Sequence, residues 1–514
     1  MNLSRRNLLR GGSALAVWPF LNLPFAEAAS RRVFLQDYPF QLGVASGDPV
    51  PDGVVLWTRL APDPLHGGGM PAEDVAVRWE VAKDENFSRV LRHGEATATA
   101  DWGHSVHVEV SGLRPDHVYW YRFMVGSEVS PTGRTRTAPL GHKELSRLRF
   151  AFASCQNYEQ GLFTAYKYMA AEDLNAVVHL GDYIYEGRAN DNRVRKHNSA
   201  EIQTLEDYRN RHALYKSDLD LQAAHAAFPW IVTWDDHEFD NNYASEISEQ
   251  PNVVVEEFLR RRAAAYQAYY EHMPLRRSSL PHGPMMKLYR KVSYGRLAQF
   301  SVLDTRQYRT DQPNGDGNKP PSEEQQDPSA TILGKVQEKW LCDTLVDSAS
   351  RWNVMAQQVM MGPIDREAGE GAKFSMDQWA GYPVGRDRFL RFLHERKISN
   401  PVVITGDVHS NWVNDLKLDF DDENAPVVAT EVVGTSISSG GNGVKKPKNY
   451  DATMSENPWV QFHNAQRGYV RCELTPESWQ TDFRIVPKVT ELDSPIGTAS
   501  SFVLESGSTS AKPA

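Results

Sequence analysis

Four short segments of this 514-residue chain concentrate side chains that can hold metal ions. They read Phe152-Ala153-Ser154-Cys155-Gln156-Asn157, His179-Leu180-Gly181-Asp182-Tyr183-Ile184-Tyr185-Glu186, Trp234-Asp235-Asp236-His237-Glu238-Phe239-Asp240-Asn241-Asn242 and Thr405-Gly406-Asp407-Val408-His409-Ser410-Asn411-Trp412. Each follows an apolar run. A thiolate, a phenolate, carboxylates and imidazoles converging from separate strands are what a multi-metal site requires. Hard oxygen ligands suit Mg, Ca or Mn, and thiolate with imidazole suits a transition metal. Taken singly, each segment has a duller reading. A lone Asp after a strand usually caps a turn or a helix, and a lone Cys155 is usually an inert buried thiol. His237 alone reads as a satisfied structural histidine, and Asp235, Asp236, Glu238 and Asp240 as a solvated acidic surface. Repetition of one pattern after several strands outweighs these readings.

Such residues need strands that stop where the ligands begin. Apolar runs at 148–153, 176–180, 230–233, 297–303, 354–361 and 402–405 alternate with helix candidates at 163–174, 256–273, 335–349 and 386–397. Buried strands interleaved with amphipathic helices predict a layered α/β domain. In such sheets the ligand crevice lies just beyond the carboxyl ends of the strands. Upstream, 54–59, 75–81 and 104–110 alternate apolar with polar, the period of half-buried antiparallel strands. Gly112-Leu113-Arg114-Pro115 followed by Tyr119-Trp120-Tyr121-Arg122 fits the late strand of a fibronectin-III-like β-sandwich, where a Tyr ties the corner. We therefore expect a sandwich over residues 31–138, a catalytic α/β domain over 147–490 and a polar C-terminal tail over 491–514. Residues 311–331, rich in Asp, Asn, Gly, Pro and Gln, predict a long surface loop.

Composition narrows the class. Forty per cent apolar and 24% charged residues exclude a mainly disordered chain. No apolar run beyond the N-terminus is long enough for a multi-span membrane protein. A formal charge of −10 argues against a protein that coats nucleic acid. The first residues read as an address: Ser4-Arg5-Arg6-Asn7-Leu8-Leu9, an apolar stretch over 11–25, then Ala26-Glu27-Ala28. That order marks a cleaved export signal over 1–28, too short and interrupted to anchor the mature chain in a membrane. Its twin arginines resemble a Tat signal, so the expected partner is the Tat export machinery and the expected location periplasmic or secreted. Loss of 1–28, with three Arg and one Glu, takes the charge to about −12. A monomer is expected.

In their order along the chain, these motifs resemble the calcineurin-like metallophosphoesterases, with informative departures. Cys155 occupies the first-ligand block, Asp236 replaces the Asn of Gly-Asn-His-Glu, and Asp407 replaces the first His of Gly-His-x-His. The intermediate His is absent, and Ala356-Gln357-Gln358-Val359 stands in its place. Together with Leu303-Asp304-Thr305-Arg306-Gln307-Tyr308-Arg309 and the Tat-like leader, these departures resemble the PhoD-type alkaline phosphatases and phosphodiesterases. The resemblance spans essentially the whole chain and implies an αββα metallophosphoesterase fold. It also implies Fe(III) held by Cys155, Asp182, Tyr185 and His409. Ca(II) would be held by Asp182 as bridge, Asp236 and Asp407, with Gln357 or Gln358 as a weaker amide ligand. His237 would bind a phosphate oxygen or protonate the leaving group. Arg306 is a weaker phosphate contact, balanced by the reading of a surface salt bridge. The implied activity is hydrolysis of phosphate mono- and diesters after export, releasing phosphate. Two alternatives stand beside it: a phospholipase-D-like phosphodiesterase acting on lipid head groups, and a catalytically silent envelope-binding protein. Cys342 and Cys472 either pair after export or stay free.

Overall fold

Two sheets carry the strands that end in the candidate ligands. The computed structural model describes residues 37–514, so the expected export signal at 1–28 lies outside the described residues. Strands Leu148–Ala153, Ala176–His179 and Pro229–Val232 are short and almost wholly buried. They pair in parallel, with Val177 opposite both Ala151 and Trp230. Both faces are covered, which is why these strands read as unbroken apolar runs rather than alternating ones.

On one face lie helices α1 (Thr164–Ala170), α2 (Leu205–Lys216), α3 (Leu219–Ala227) and α4 (Val255–His272). Tyr166, Leu214, Leu221 and Ala265 from these helices pack on Ala151, Val177 and Trp230. Local sequence fixes where two of them begin. Thr204 and Asp207 form a reciprocal capping box for α2, and the Asp218 carboxylate accepts the Asp220 and Leu221 amides at the start of α3. The opposite face, with Phe150, Phe152 and Val178, meets Phe300, Val354 and Ile404 of a seven-stranded sheet. That second sheet runs Arg290–Tyr294, Ala298–Val302, Trp352–Ala356, Pro401–Thr405, Val427–Val433, Asn411–Lys417, Val460–Asn464 in spatial order. Helices α5 (Gly334–Val346) and α6 (Pro383–Glu395) cover its far side through Leu341, Leu345, Phe389 and Leu393, and α7 (Tyr450–Glu456) follows.

The first sheet has ten strands, and both ends of the chain contribute to it. Val44–Val50 pairs in parallel with Pro229–Val232, Ser46 opposite Pro229, and Gly53–Arg59 and Ser105–Val110 extend that edge. Gly53–Arg59 is therefore buried throughout rather than half-buried, with Trp57 packed on Ala213 of α2 and bonded through Nε1 to the Glu271 carbonyl. The other upstream strands, among them Val75–Ala82, Val90–Ala98 and Val118–Val125, form a separate five-stranded sheet. Within it, Tyr119 Oη accepts the Arg114 amide at 2.8 Å. At the other edge, the segment expected as a polar tail holds strand Gly497–Glu505, paired with Ser478–Val486. Phe502 and Leu504 point into the core between the sheets, a period-2 signal that the surrounding Ser and Thr mask. Cys155, Cys342 and Cys472 are all free thiols.

Candidate metal centre

The loops that leave four strands meet at one point between the two sheets. Their approach is close enough to need glycine twice. A Cβ on Gly181 (φ 106°) would lie 2.4 Å from the Asp235 nitrogen, and one on Gly406 would lie 2.6 Å from Ser154 Oγ. Four of the candidate ligands adopt left-handed backbone: Cys155 (φ 59°), Asp182 (55°), Asp407 (63°) and His409 (52°). Each costs about 1–3 kcal/mol and persists only where its surroundings enforce it. Here the Cys155 amide donates to the Gly181 carbonyl at 3.0 Å and the Gln156 amide to that of Asp182 at 3.0 Å. The Glu238 carboxylate accepts three further amides, from Asp182 (3.0 Å), Tyr183 (2.7 Å) and Asp235 (2.9 Å).

Ligand atoms of Cys155, Asp182 and His409 lie within 4.8 Å of one another, and so do those of Asp182, Asp235 and Asp236. Asp182 belongs to both groups. Tyr185 Oη donates to Asp182 Oδ2 at 2.7 Å, lies 3.3 Å from His409 Nε2 and accepts from Ser439 Oγ at 2.7 Å. Asp407 reaches the same place from the second sheet, its Oδ2 accepting from Gln378 Nε2. At this point Asp182 Oδ1 and Asp235 Oδ2 have no hydrogen-bond partner, and Asp236 Oδ1 meets only the Arg306 guanidinium, at 3.3 Å. Unpaired buried carboxylate oxygens beside a thiol and an imidazole fit metal ions in donor type.

The electrostatics point the same way. Burial pushes the Cys155 thiol well above its ordinary range, with Asp182 and Asp407 adding to the effect. Burial likewise raises Asp182 and Asp235, and takes Asp407 up to about 6 against the pull of Arg306. For Asp236 burial is outweighed by Arg306 and His237, which hold its carboxyl below the usual range. Burial and Arg467 push His409 down to about 3, leaving it a neutral imidazole suited to ligation. Such a set of acids is stable only with protons or cations among them.

Placement of the expected residues is mixed. Cys155, Asp182, Tyr185, Asp236, Asp407 and His409 come together. His237 stands beside them, its ring 4.1 Å from that of Tyr185 and its Nδ1 2.7 Å from Glu186 Oε2. Burial opposes charge on His237, but Glu186, Asp182 and Asp236 raise its pKa well above the ordinary value. Arg306 is neither exposed to substrate nor part of a surface salt bridge; its side chain is 0% exposed. Its guanidinium lies 2.5 Å from Asp235, 2.7 Å from Asp377, 3.3 Å from Asp236 and 3.6 Å from Asp407. Asp377 in turn pairs with Arg309 at 2.9 Å. The amide oxygens of Gln357 and Gln358 are committed elsewhere, to Trp379 Nε1 at 3.0 Å and to Thr305 at 2.7 Å.

Sequence reasoning missed several participants. Asp235, Glu238 and Asp240 are buried at 1–3% exposure rather than forming a solvated face. Glu186, quoted above without a role, orients His237. Gln378 and Asp377 sit in a turn that no motif marks, and no local signal singles them out.

Comparison with known proteins places relatives beside this geometry. The family described as PhoD-like phosphatase matches residues 150–483, and the PhoD-like phosphatase N-terminal domain matches residues 26–139. Alkaline phosphatase D of Bacillus subtilis (strain 168) is 53% identical over 517 residues, covering 98% of this chain and 88% of that protein. A solved structure described as the structure of PhoD superposes with a TM-score of 0.92 at 55% identity, covering 93% of each chain.

Proposed function

The chain belongs to the PhoD-like phosphatase family and is a phosphoric ester hydrolase; from that premise we propose that it hydrolyses phosphate mono- and diesters at a centre holding Fe(III) and Ca(II). The observation that carries this reading is the shared carboxylate. Asp182 is common to a thiol–imidazole group and an all-carboxylate group, and its Oδ1 has no other partner. Cys155, Asp182, Tyr185 and His409 would hold the ferric ion, the hard-and-soft mixture a transition metal prefers. Asp182, Asp236 and Asp407, joined by Asp235, would hold calcium through oxygen. When bound, the cations offset the repulsion between an anionic ester and an anionic nucleophile and stabilise charge developing on the phosphoryl oxygens.

The remaining steps belong to the protein. Arg306 cancels part of the carboxylate charge and fixes the mutual positions of Asp235, Asp236 and Asp407. Gln378 ties down Oδ2 of Asp407, while its Oδ1 lies 3.6 Å from the Arg306 guanidinium. Glu186 accepts the Nδ1 proton of His237, so the imidazole meets the ester through Nε2. Surrounded by acids, the ring keeps its proton and can give it to the departing alcohol or hold a phosphoryl oxygen. Around this centre we assign an αββα order of layers, with a fibronectin-III-like upstream region, and Tat-dependent export to the periplasm or beyond.

Metal analysis of natively produced protein tests the first part, together with assays on p-nitrophenyl phosphate and bis-p-nitrophenyl phosphate with and without added calcium. Iron and calcium in the protein and turnover of both esters are expected. Metal-replete protein that cleaves neither ester would overturn the reading. For export, the Arg5→Lys, Arg6→Lys double variant should remain inside the cell; unchanged export removes the Tat assignment.

A further inference from the structure

Behind the metal centre, on the helical side of the ten-stranded sheet, lies a second buried set of titratable groups that hydrolysis does not use. Lys216 and His212 sit one turn apart on α2, His225 lies on α3, His272 ends α4, His179 ends its strand and Arg59 ends another. All six are at most 2% exposed. The ring of Tyr183, the residue after Asp182, stands among them. The rings of His179, His225 and His212 lie 5.2, 5.8 and 6.2 Å from it, and Lys216 Nζ lies 5.4 Å from it and 4.3 Å from the ring of Trp57.

Part of this set is satisfied internally. Arg59 donates to the Gly103 carbonyl at 2.7 Å and to His272 Nε2 at 2.7 Å, while His272 Nδ1 donates to the Ala268 carbonyl at 2.6 Å. Tyr183 Oη meets His225 Nε2 at 2.8 Å, and Glu271, the acid beside the cluster, is engaged by Arg209 at 2.5 and 2.7 Å. What is left over is one-sided. Both ring nitrogens of His212, Nε2 of His179 and Nδ1 of His225 have no hydrogen-bond partner. The Gly181 amide donates into His179 Nδ1 at 3.3 Å, so the neutral ring carries its proton on the partnerless Nε2. Among the described residues no carboxylate pairs with Lys216. An ammonium brings three donors and no acceptor. The surplus is therefore of donors and positive charge, and the cation–π contacts with Trp57 and Tyr183 offset only part of its desolvation. These imidazoles also fail to converge as metal ligands do, since the grouped ligand atoms among the described residues are those of the metal centre alone.

We propose that this cluster binds one small monovalent anion of the halide class, with Lys216 as its counter-charge and His212 as a second donor. A tetrahedral oxyanion is the poorer fit. It is larger than a halide, and a dianion is far costlier to desolvate. Burial alone takes Lys216 down to about 7, the behaviour of an ammonium that lacks a counter-ion. A bound halide raises it again. The anion would then brace Tyr183 from behind, on the opposite side of the backbone from the Asp182 carboxylate.

Crystals of the intact, metal-loaded protein transferred from chloride into bromide test the site directly. An anomalous bromide peak within hydrogen-bonding reach of Lys216 Nζ is expected; its absence overturns the proposal. In solution, the melting temperature of the wild type should rise by about 2–3 °C from low to saturating bromide relative to gluconate at equal ionic strength. K216M should lose that difference. A peak without any halide-specific rise marks an adventitious ion and also overturns the proposal. If K216M does not fold, H212F serves in its place, and the crystal result stands regardless of either variant.

Discussion

Asp182 and Tyr183 are neighbours in the chain, yet they face surroundings of opposite sign. In front, Asp235, Asp236 and Asp407 share one guanidinium, that of Arg306, and Asp182 stands beside them with none of its own. Behind, Lys216 stands among His179, His212 and His225 with no carboxylate paired to it. Both regions bury charge, and they differ in support. The acidic side is braced by Glu238, which accepts three backbone amides, and by Arg306, which links strand ends from both sheets. The basic side has few such ties and leaves ring nitrogens bare. The contrast teaches that rigidity follows where the fold must hold several like charges at fixed spacing, because a frame has to be in place before cations arrive to stabilise it.

The comparison can be broken most severely at the shared carboxylate. Asp182→Asn should lower turnover by ~10³-fold or more, with loss of both metals on elemental analysis. Cys155→Ser should abolish a visible thiolate-to-iron charge-transfer band; a colourless and fully active wild type would exclude that ligation. His237→Ala should keep its metals but lose ~10²–10⁴-fold in turnover. Departure of the metals instead would make His237 a ligand. Glu186→Gln, which only loosens the imidazole, should cost about 10–100-fold, with metal content unchanged.

The smallest effect belongs to the basic side and concerns stability. Lys216 has a folded pKa of about 7, below the ordinary lysine value of about 10.4 that applies when the chain is unfolded. Between those values the unfolded chain binds the extra proton, so raising the pH stabilises the folded protein. In halide-free buffer, the wild type should gain a few degrees in melting temperature relative to K216M as pH rises from about 7 to about 10. Parallel pH profiles for the two proteins would show that Lys216 is already neutralised by another means.

Much of the acidic side was legible because its residues sit at strand ends, where polarity changes abruptly. Cys155, Asp182, Asp236, Asp407 and His409 each follow an apolar run, and that is readable. Glu238 was not, because residues 235–242, with six acidic or amide side chains, look solvated until the chain folds Glu238 back onto backbone amides. Gln378 contributes through a turn with no pattern, and Arg306 lies just past a strand end but turns inward. The basic side went unread for another reason. His179, His212, Lys216 and His225 come from a strand and two helices, and helical spacing unites only His212 with Lys216. For the fold, period-2 signals located Val75–Ala82 and Ser105–Val110. They were too faint at Gly497–Glu505, and at Gly53–Arg59 they could not disclose the second buried face.

The pairings of the ten-stranded sheet set a timetable for biosynthesis. Val44–Val50 must wait for Pro229–Val232, and the strand leading to Cys155 takes as its outer neighbour Arg467–Leu474, with Phe152 opposite Val470. Non-local pairing of this kind delays folding until the distant partner exists. No nascent chain still short of residue 474 can therefore present a finished centre, however many of its ligands have already left the ribosome. Metal loading at such a centre is thereby confined to the complete polypeptide, and a prematurely terminated product is a poor competitor for metal ions.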